Sequence, residues 1–109
     1  MKTEGKHVTA DIWLNEWPIG IDLLNAAGDA IKKTGLTILQ EVKHDFGTDA
    51  LTGLWLLAES HFSLHTFPER NFISLDCYTC GNANPLLAVL SFVSVLDVAS
   101  ANMKIMSRG

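Results

Sequence analysis

Between Leu54 and Gly81 the chain reads LWLLAESHFSLHTFPERNFISLDCYTCG, and that window holds the hydroxyl of Ser60, the imidazoles of His61 and His65, and the thiols of Cys77 and Cys80. A serine with a nearby base can serve nucleophilic catalysis, an accessible thiol can move a proton, and C-x-x-C with histidines can hold zinc. Each group also has an ordinary structural role. Ser60 ends an apolar run, where serine is a common turn residue, and a buried cysteine behaves as a small hydrophobe. The G-x-S-x-G elbow of serine hydrolases is absent. Cys77 and Cys80 stand from His61 and His65 at spacings unlike those of zinc fingers, and they close a strand rather than open a helix. Neither a metal nor thioredoxin-like redox chemistry is therefore expected.

The elements around the window are read from periodicity. His7 to Leu14 alternates, with Val8, Ala10, Ile12 and Leu14 on one face and His7, Thr9, Asp11 and Trp13 on the other, which predicts a strand with a solvated polar face. From Ile21 the positions Leu24, Ala27, Gly28 and Ile31 recur at helical spacing, and Lys32 and Lys33 suit a helix C-terminus before Gly35. A second strand runs from Leu36 to about His44, followed by a turn over Phe46-Gly47-Thr48-Asp49. Leu54 to Ala58 is apolar on both faces and predicts a central strand covered on both sides. Ser63 to Pro68 has no decisive pattern. Phe72 to Tyr78 alternates as a strand, with Ile73, Leu75 and Cys77 opposite Ser74, Asp76 and Tyr78, and Cys80-Gly81-Asn82 forms a loop. Pro85 opens a helix through the apolar Leu86 to Leu96, and Asn102 to Ser107 forms a last short strand. Without regular βαβ alternation, the order predicts an α+β fold, an antiparallel sheet with helices on one face, in a single domain spanning residues 1–109.

Composition narrows the function. Of 109 residues 48% are hydrophobic and 18% charged, more apolar surface than one small core hides, which predicts a subunit interface. A net charge of −4 without a basic cluster excludes the electrostatic footprint of a nucleic-acid binder. The uncharged stretch Cys77 to Leu96 is strongly apolar only from Leu86, too short to span a bilayer. MKTEGKH lacks the pattern of a signal peptide, so a cytoplasmic protein with reduced thiols is expected, and Cys77 and Cys80 are not expected to form a structural disulfide.

Taken whole, the window resembles the prokaryotic S-adenosylmethionine decarboxylase proenzymes, through Ala58-Glu59-Ser60-His61, His65-Thr66-Phe67-Pro68-Glu69 and Thr79-Cys80-Gly81. The similarity extends more loosely to Gly5-x-His7 with Asp11, to His44-x-Phe46, to Thr52-Gly53 and to Arg108-Gly109. It implies an α/β sandwich whose sheets pair in a homodimer, and a pyruvoyl enzyme that makes its own cofactor by cutting between Glu59 and Ser60 into 1–59 and 60–109. Ser60 would attack the preceding carbonyl, His65 would remove the α-proton of the resulting ester, and the pyruvoyl group left at Ser60 would form a Schiff base with the substrate amine and act as electron sink. Cys80 is matched to the proton donor for the product carbanion. Thr52 stands where a serine commonly supports processing, keeping the hydroxyl and adding a β-branch. Phe46 would stack on adenine, Glu69 would accept from the ribose hydroxyls, and Asp11 would lie near the amino-acid end. Phe67 replaces a usual Trp, and Asn84 stands before Pro85 in place of an aspartate.

The resemblance implies decarboxylation of S-adenosylmethionine for polyamine synthesis. Relatives of the family act on ornithine or arginine, whose distal cations call for a carboxylate where the nucleoside calls for an aromatic face and a diol acceptor. Phe46 and Glu69 favour the nucleoside, whereas Glu69 or Asp11 could serve an amine. A non-processing homologue that binds or regulates an active partner is the alternative from a different class, and the presence of Ser60, His65 and Cys80 argues against it.

Overall fold

The structure, a computed structural model, describes residues 4–109. Met1–Thr3, part of the N-terminal stretch weighed above as a leader, lie outside the described residues. The elements follow as β1 (Gly5–Leu14), α1 (Leu23–Lys33), β2 (Ile38–Asp45), β3 (Leu51–Leu57), β4 (Ser60–Phe67), a single 3-10 turn (Pro68–Arg70), β5 (Phe72–Cys80), α2 (Pro85–Val93) and β6 (Val98–Arg108). All six strands form one antiparallel sheet in the order β2-β3-β4-β5-β1-β6, and both helices pack on one of its faces. The expected α+β class and helix placement are what the structure has.

Alternation explains the two faces. Val8, Ala10 and Ile12 of β1, Phe62 and Leu64 of β4, and Ile73, Leu75 and Cys77 of β5 point to the helices and are fully buried or nearly so. They meet Ala27 and Ile31 of α1 and Ala88, Val89 and Phe92 of α2 in one core. Both helices carry side-chain caps at their N-termini: Asp22 accepts from the Asn25 amide, and Asn84 accepts from the Leu86 amide ahead of Pro85. Asn84 thus does the capping work that the missing aspartate would do. Gly53 is required by packing, because a Cβ there would come within 2.5 Å of the Trp55 ring, which folds across it into the core. The Trp55 indole N–H donates to Glu41 across the β2–β3 pair at 3.0 Å.

Three expectations are corrected, and one undecided segment is assigned. β3 is not covered on both sides: Trp55 and Leu57 are buried, while Leu54 and Leu56 are about half exposed on the face opposite the helices. Ser63 to Pro68, undecided by pattern, belongs mostly to β4, whose inward Thr66 interrupts the apolar alternation. The last strand begins at Val98, four residues before the expected start, and pairs with β1 along nearly its whole length. α2 stops at Val93, short of Leu96.

Candidate active site

Leu57 pairs with Ser60 across a turn of only two residues, Ala58 and Glu59. Tight hairpins of this length favour Gly or Asn, which supply positive φ within the turn. Ala58-Glu59 supplies neither, and the unusual backbone angle falls on Ser60, at φ +154°. Non-glycine residues in such regions store strain of about 1–3 kcal/mol and need the surroundings to hold them. Here the turn is held from two sides. The Ala58 amide donates to the Thr37 carbonyl (2.9 Å) and the Thr37 amide to Glu59 Oε1 (3.1 Å). On the other flank, the Cys80 amide donates to the Glu59 main-chain carbonyl at 3.0 Å, and the Cys80 thiol to the same oxygen at 3.4 Å.

The Glu59–Ser60 peptide therefore joins a strained serine to a carbonyl polarised by two donors. When a nucleophile adds to that carbonyl, negative charge grows on the oxygen that Cys80 already contacts. Both cysteines are free thiols, and they differ in environment. Cys77 is fully buried, and burial, with a smaller contribution from the Asp76 charge, pushes its thiol up to about 12. Cys80 is partly exposed at the end of β5.

His65 is elsewhere. Five residues along β4 place it about 16 Å from Ser60, toward the opposite end of the sheet and on the face away from the helices. There Thr52 Oγ1 lies 3.0 Å from its Nδ1. Strand register continues this row as His44, Thr52, His65, Ser74 and Asp11 across β2, β3, β4, β5 and β1. Phe46, 68% exposed, sits just beyond β2 with its ring 4.3 Å from that of His44. Glu69 is exposed in the 3-10 turn that follows β4. The eight residues singled out from sequence thus form two groups within one chain, Glu59, Ser60 and Cys80 at one end and Phe46, Thr52, His65, Glu69 and Asp11 toward the other. One chain does not bring His65 to Ser60.

Sequence reasoning missed the polar network between these ends. On the open face Asp76 receives Ser63 Oγ, His7 Nε2 at 2.7 Å and His61 Nε2 at 3.2 Å. The predicted solvated face of β1 is here a bonded one, with the His7 side chain only 16% exposed. Residues 7 and 76 meet only through β1–β5 pairing, so local pattern carried no signal beyond their shared outward facing. The two Nε2 atoms and the Asp76 oxygen are close enough to surround a cation, but the Arg108 guanidinium contacts His7 Nδ1 at 3.3 Å. Arginine only donates, so Nδ1 accepts and the ring proton resides on Nε2, where it donates to Asp76 instead of offering a lone pair. Burial raises the Asp76 pKa, but hydrogen bonds from Ser63, His7 and His61 and the His61 charge outweigh it and hold the carboxyl below its ordinary value of 3.8. A depressed folded-state value contributes stability above the unfolded pKa that is lost as pH falls through the folded one. Thermal melts between pH 5 and 2.5 should accordingly show a loss of stability below about pH 4, and Asp76→Asn should flatten that limb.

Residues 21–109 match the sequence profile of the family described as S-adenosylmethionine decarboxylase. The chain belongs to that family. A protein named S-adenosylmethionine decarboxylase proenzyme from Brevibacillus brevis is 40% identical over 98% of this chain and 84% of its own length. One of the same name from Geobacillus kaustophilus is 32% identical over 100% and 90%. The crystal structure of the adenosylmethionine decarboxylase from Aquifex aeolicus superposes with a TM-score of 0.82 at 28% identity, covering 100% of this chain and 93% of that one. As a member of the S-adenosylmethionine decarboxylase family, the chain has its family-like motifs at both ends of the sheet. A-E-S-H and T-C-G meet around the Glu59 carbonyl, and H-T-F-P-E carries His65 and Glu69 at the other end.

Proposed function

We propose that this chain is a proenzyme that cuts itself between Glu59 and Ser60, giving fragments 1–59 and 60–109, and that the pyruvoyl form decarboxylates S-adenosylmethionine to the aminopropyl donor of polyamine synthesis. The observation that carries the reading is the Glu59 carbonyl, bonded by the Cys80 amide and thiol beside a strained Ser60. Ser60 Oγ adds to the Glu59 carbonyl carbon, the C–N bond breaks, and an ester replaces the peptide. A base then removes the Ser60 α-proton as the Glu59 carboxylate leaves, and water converts the dehydroalanine to a pyruvoyl group with release of ammonia. That group supplies the electron sink for loss of the substrate carboxylate.

The separation of the two groups gives the assembly its logic. A two-fold pair of chains facing through their open sheets, one turned end for end, would bring the end of β4 that carries His65 in one copy to the end that begins at Ser60 in the other. Symmetry makes two such sites. Leu54, Leu56 and Val42, 45%, 50% and 63% exposed on that open face, are the apolar surface such a homodimer would cover. Phe46 and Glu69 lie on the His65 side of each composite site, which fits adenine stacking and a ribose diol acceptor. Asp11, in the row of His65, fits the ammonium or sulfonium part of the substrate. The chemistry of the donor set calls for no metal. No helix among the described residues is long and apolar enough to cross a membrane, and free thiols fit a cytoplasmic enzyme.

Substrate choice is tested by carbon dioxide release from carboxyl-labelled S-adenosylmethionine, ornithine and arginine. Release from the first alone is expected; release from either amino acid in preference to it would overturn the assignment. Cys80→Ala separates the two jobs of that residue. The backbone N–H on the Glu59 carbonyl survives, so the fragments should still form, whereas loss of the thiol should lower turnover by about 10²–10⁴-fold, the usual worth of a positioned acid.

A further inference from the structure

Thr66, in the H-T-F-P-E motif, has no part in the chemistry above, yet it is one of only two buried polar residues among those described, 3% exposed. Its hydroxyl works in both directions. It donates to the Asp49 carbonyl at 2.6 Å and accepts the Leu51 amide at 2.7 Å, fastening the end of the β2–β3 turn to β4 from within the core. The turn it holds is under strain. Gly47, Thr48 and Asp49 have φ of +98°, +51° and +64°, the last two without the freedom of glycine. Asp45 Oδ1 accepts the Gly47 amide at 2.7 Å, and the Phe46 amide donates to the Ala50 carbonyl at 2.8 Å. Three consecutive left-handed residues persist only where the surroundings over-determine them, and such segments gather at ligand clamps. Phe46 is carried by this turn, exposed and set edge-on to His44.

We infer that Thr66 is a positioning residue: its buried hydroxyl fixes the strained turn and thereby presents Phe46 to the purine of the substrate, setting affinity and not the chemical step. The inference rests on the adenine-stacking reading of Phe46. A rigid turn gives the ring its orientation before binding; without the anchor, each binding event must order the turn.

The test compares purified, self-cleaved variants in steady-state decarboxylation of S-adenosylmethionine. Thr66→Val keeps the shape and removes the hydroxyl; it should raise KM about 10-fold with kcat within about 2-fold, the signature of lost uniform binding. Thr66→Ser restores donor and acceptor and should return KM to within about 2-fold of the parent. In a Phe46→Ala background, where KM is already raised, Thr66→Val should add nothing, because both act through one ring. Gly47→Ala perturbs the same turn from an open surface position, where an added Cβ meets nothing within 4 Å. It should raise KM in the same way even if Thr66→Val fails to fold. Unchanged KM in an active Thr66→Val or Gly47→Ala enzyme, or full additivity with Phe46→Ala, overturns the inference while leaving the decarboxylase reading intact. No carbon dioxide from the parent enzyme overturns both.

Discussion

Ser60→Ala is expected to remain one uncut chain of 109 residues and to release no carbon dioxide from S-adenosylmethionine. The substitution removes a single oxygen at a partly exposed position, so folding should survive. What disappears is the only atom able to transfer the Glu59 acyl group within the strained turn, and with it the source of the pyruvoyl carbonyl. Other catalytic losses leave residual rates, but this one removes the electron sink outright. Denaturing electrophoresis and a labelled-carboxyl assay check it together. A Ser60→Ala chain that is cut at residue 59, or one that is uncut and active, would remove the proposal.

Mixing two inactive variants should restore cleavage. His65→Ala keeps Ser60 and Cys80, Ser60→Ala keeps His65 and Thr52, and these pairs lie at opposite ends of one sheet. In a mixed dimer one composite site is intact and the other doubly damaged. The intact site contains the Ser60 of the His65→Ala chain, so that chain is cut and the Ser60→Ala chain is not. Random pairing of equal amounts places half of the His65→Ala chains in mixed dimers, so about half of them should be cleaved. Tagging the two chains with different masses makes the asymmetry readable by mass spectrometry after co-refolding. Cleavage of His65→Ala alone at the parent rate would show that His65 is not the base. No cleavage in confirmed mixed dimers would show that the two ends do not combine between copies.

How far the sequence spoke follows from where each signal resides. β1 and β5 were legible because their polar and apolar residues alternate and their inward faces meet the helices. β3 misled because Leu54 and Leu56 are apolar although they lie half exposed on the open face, so the strand lacks the alternation that would mark Trp55 and Leu57 as its one buried side. β4 was obscured by Thr66, whose polarity marks a turn anchor and not a solvent-facing position. The motif residues were found, and their separation was not, since a count of five residues becomes a distance only once the segment is known to be extended. The bond from Cys80 to the Glu59 carbonyl and the His7–Asp76 contact are long-range. They depend on strand order, which periodicity does not encode.

The most direct test of the central claim is the intact mass of the purified chain under denaturing conditions. The account predicts two species, residues 1–59 ending in Glu59 and residues 60–109 carrying the mass of a pyruvoyl in place of an amino-terminal serine. A single uncut chain, or a C-terminal fragment that begins with an unmodified serine, would contradict it.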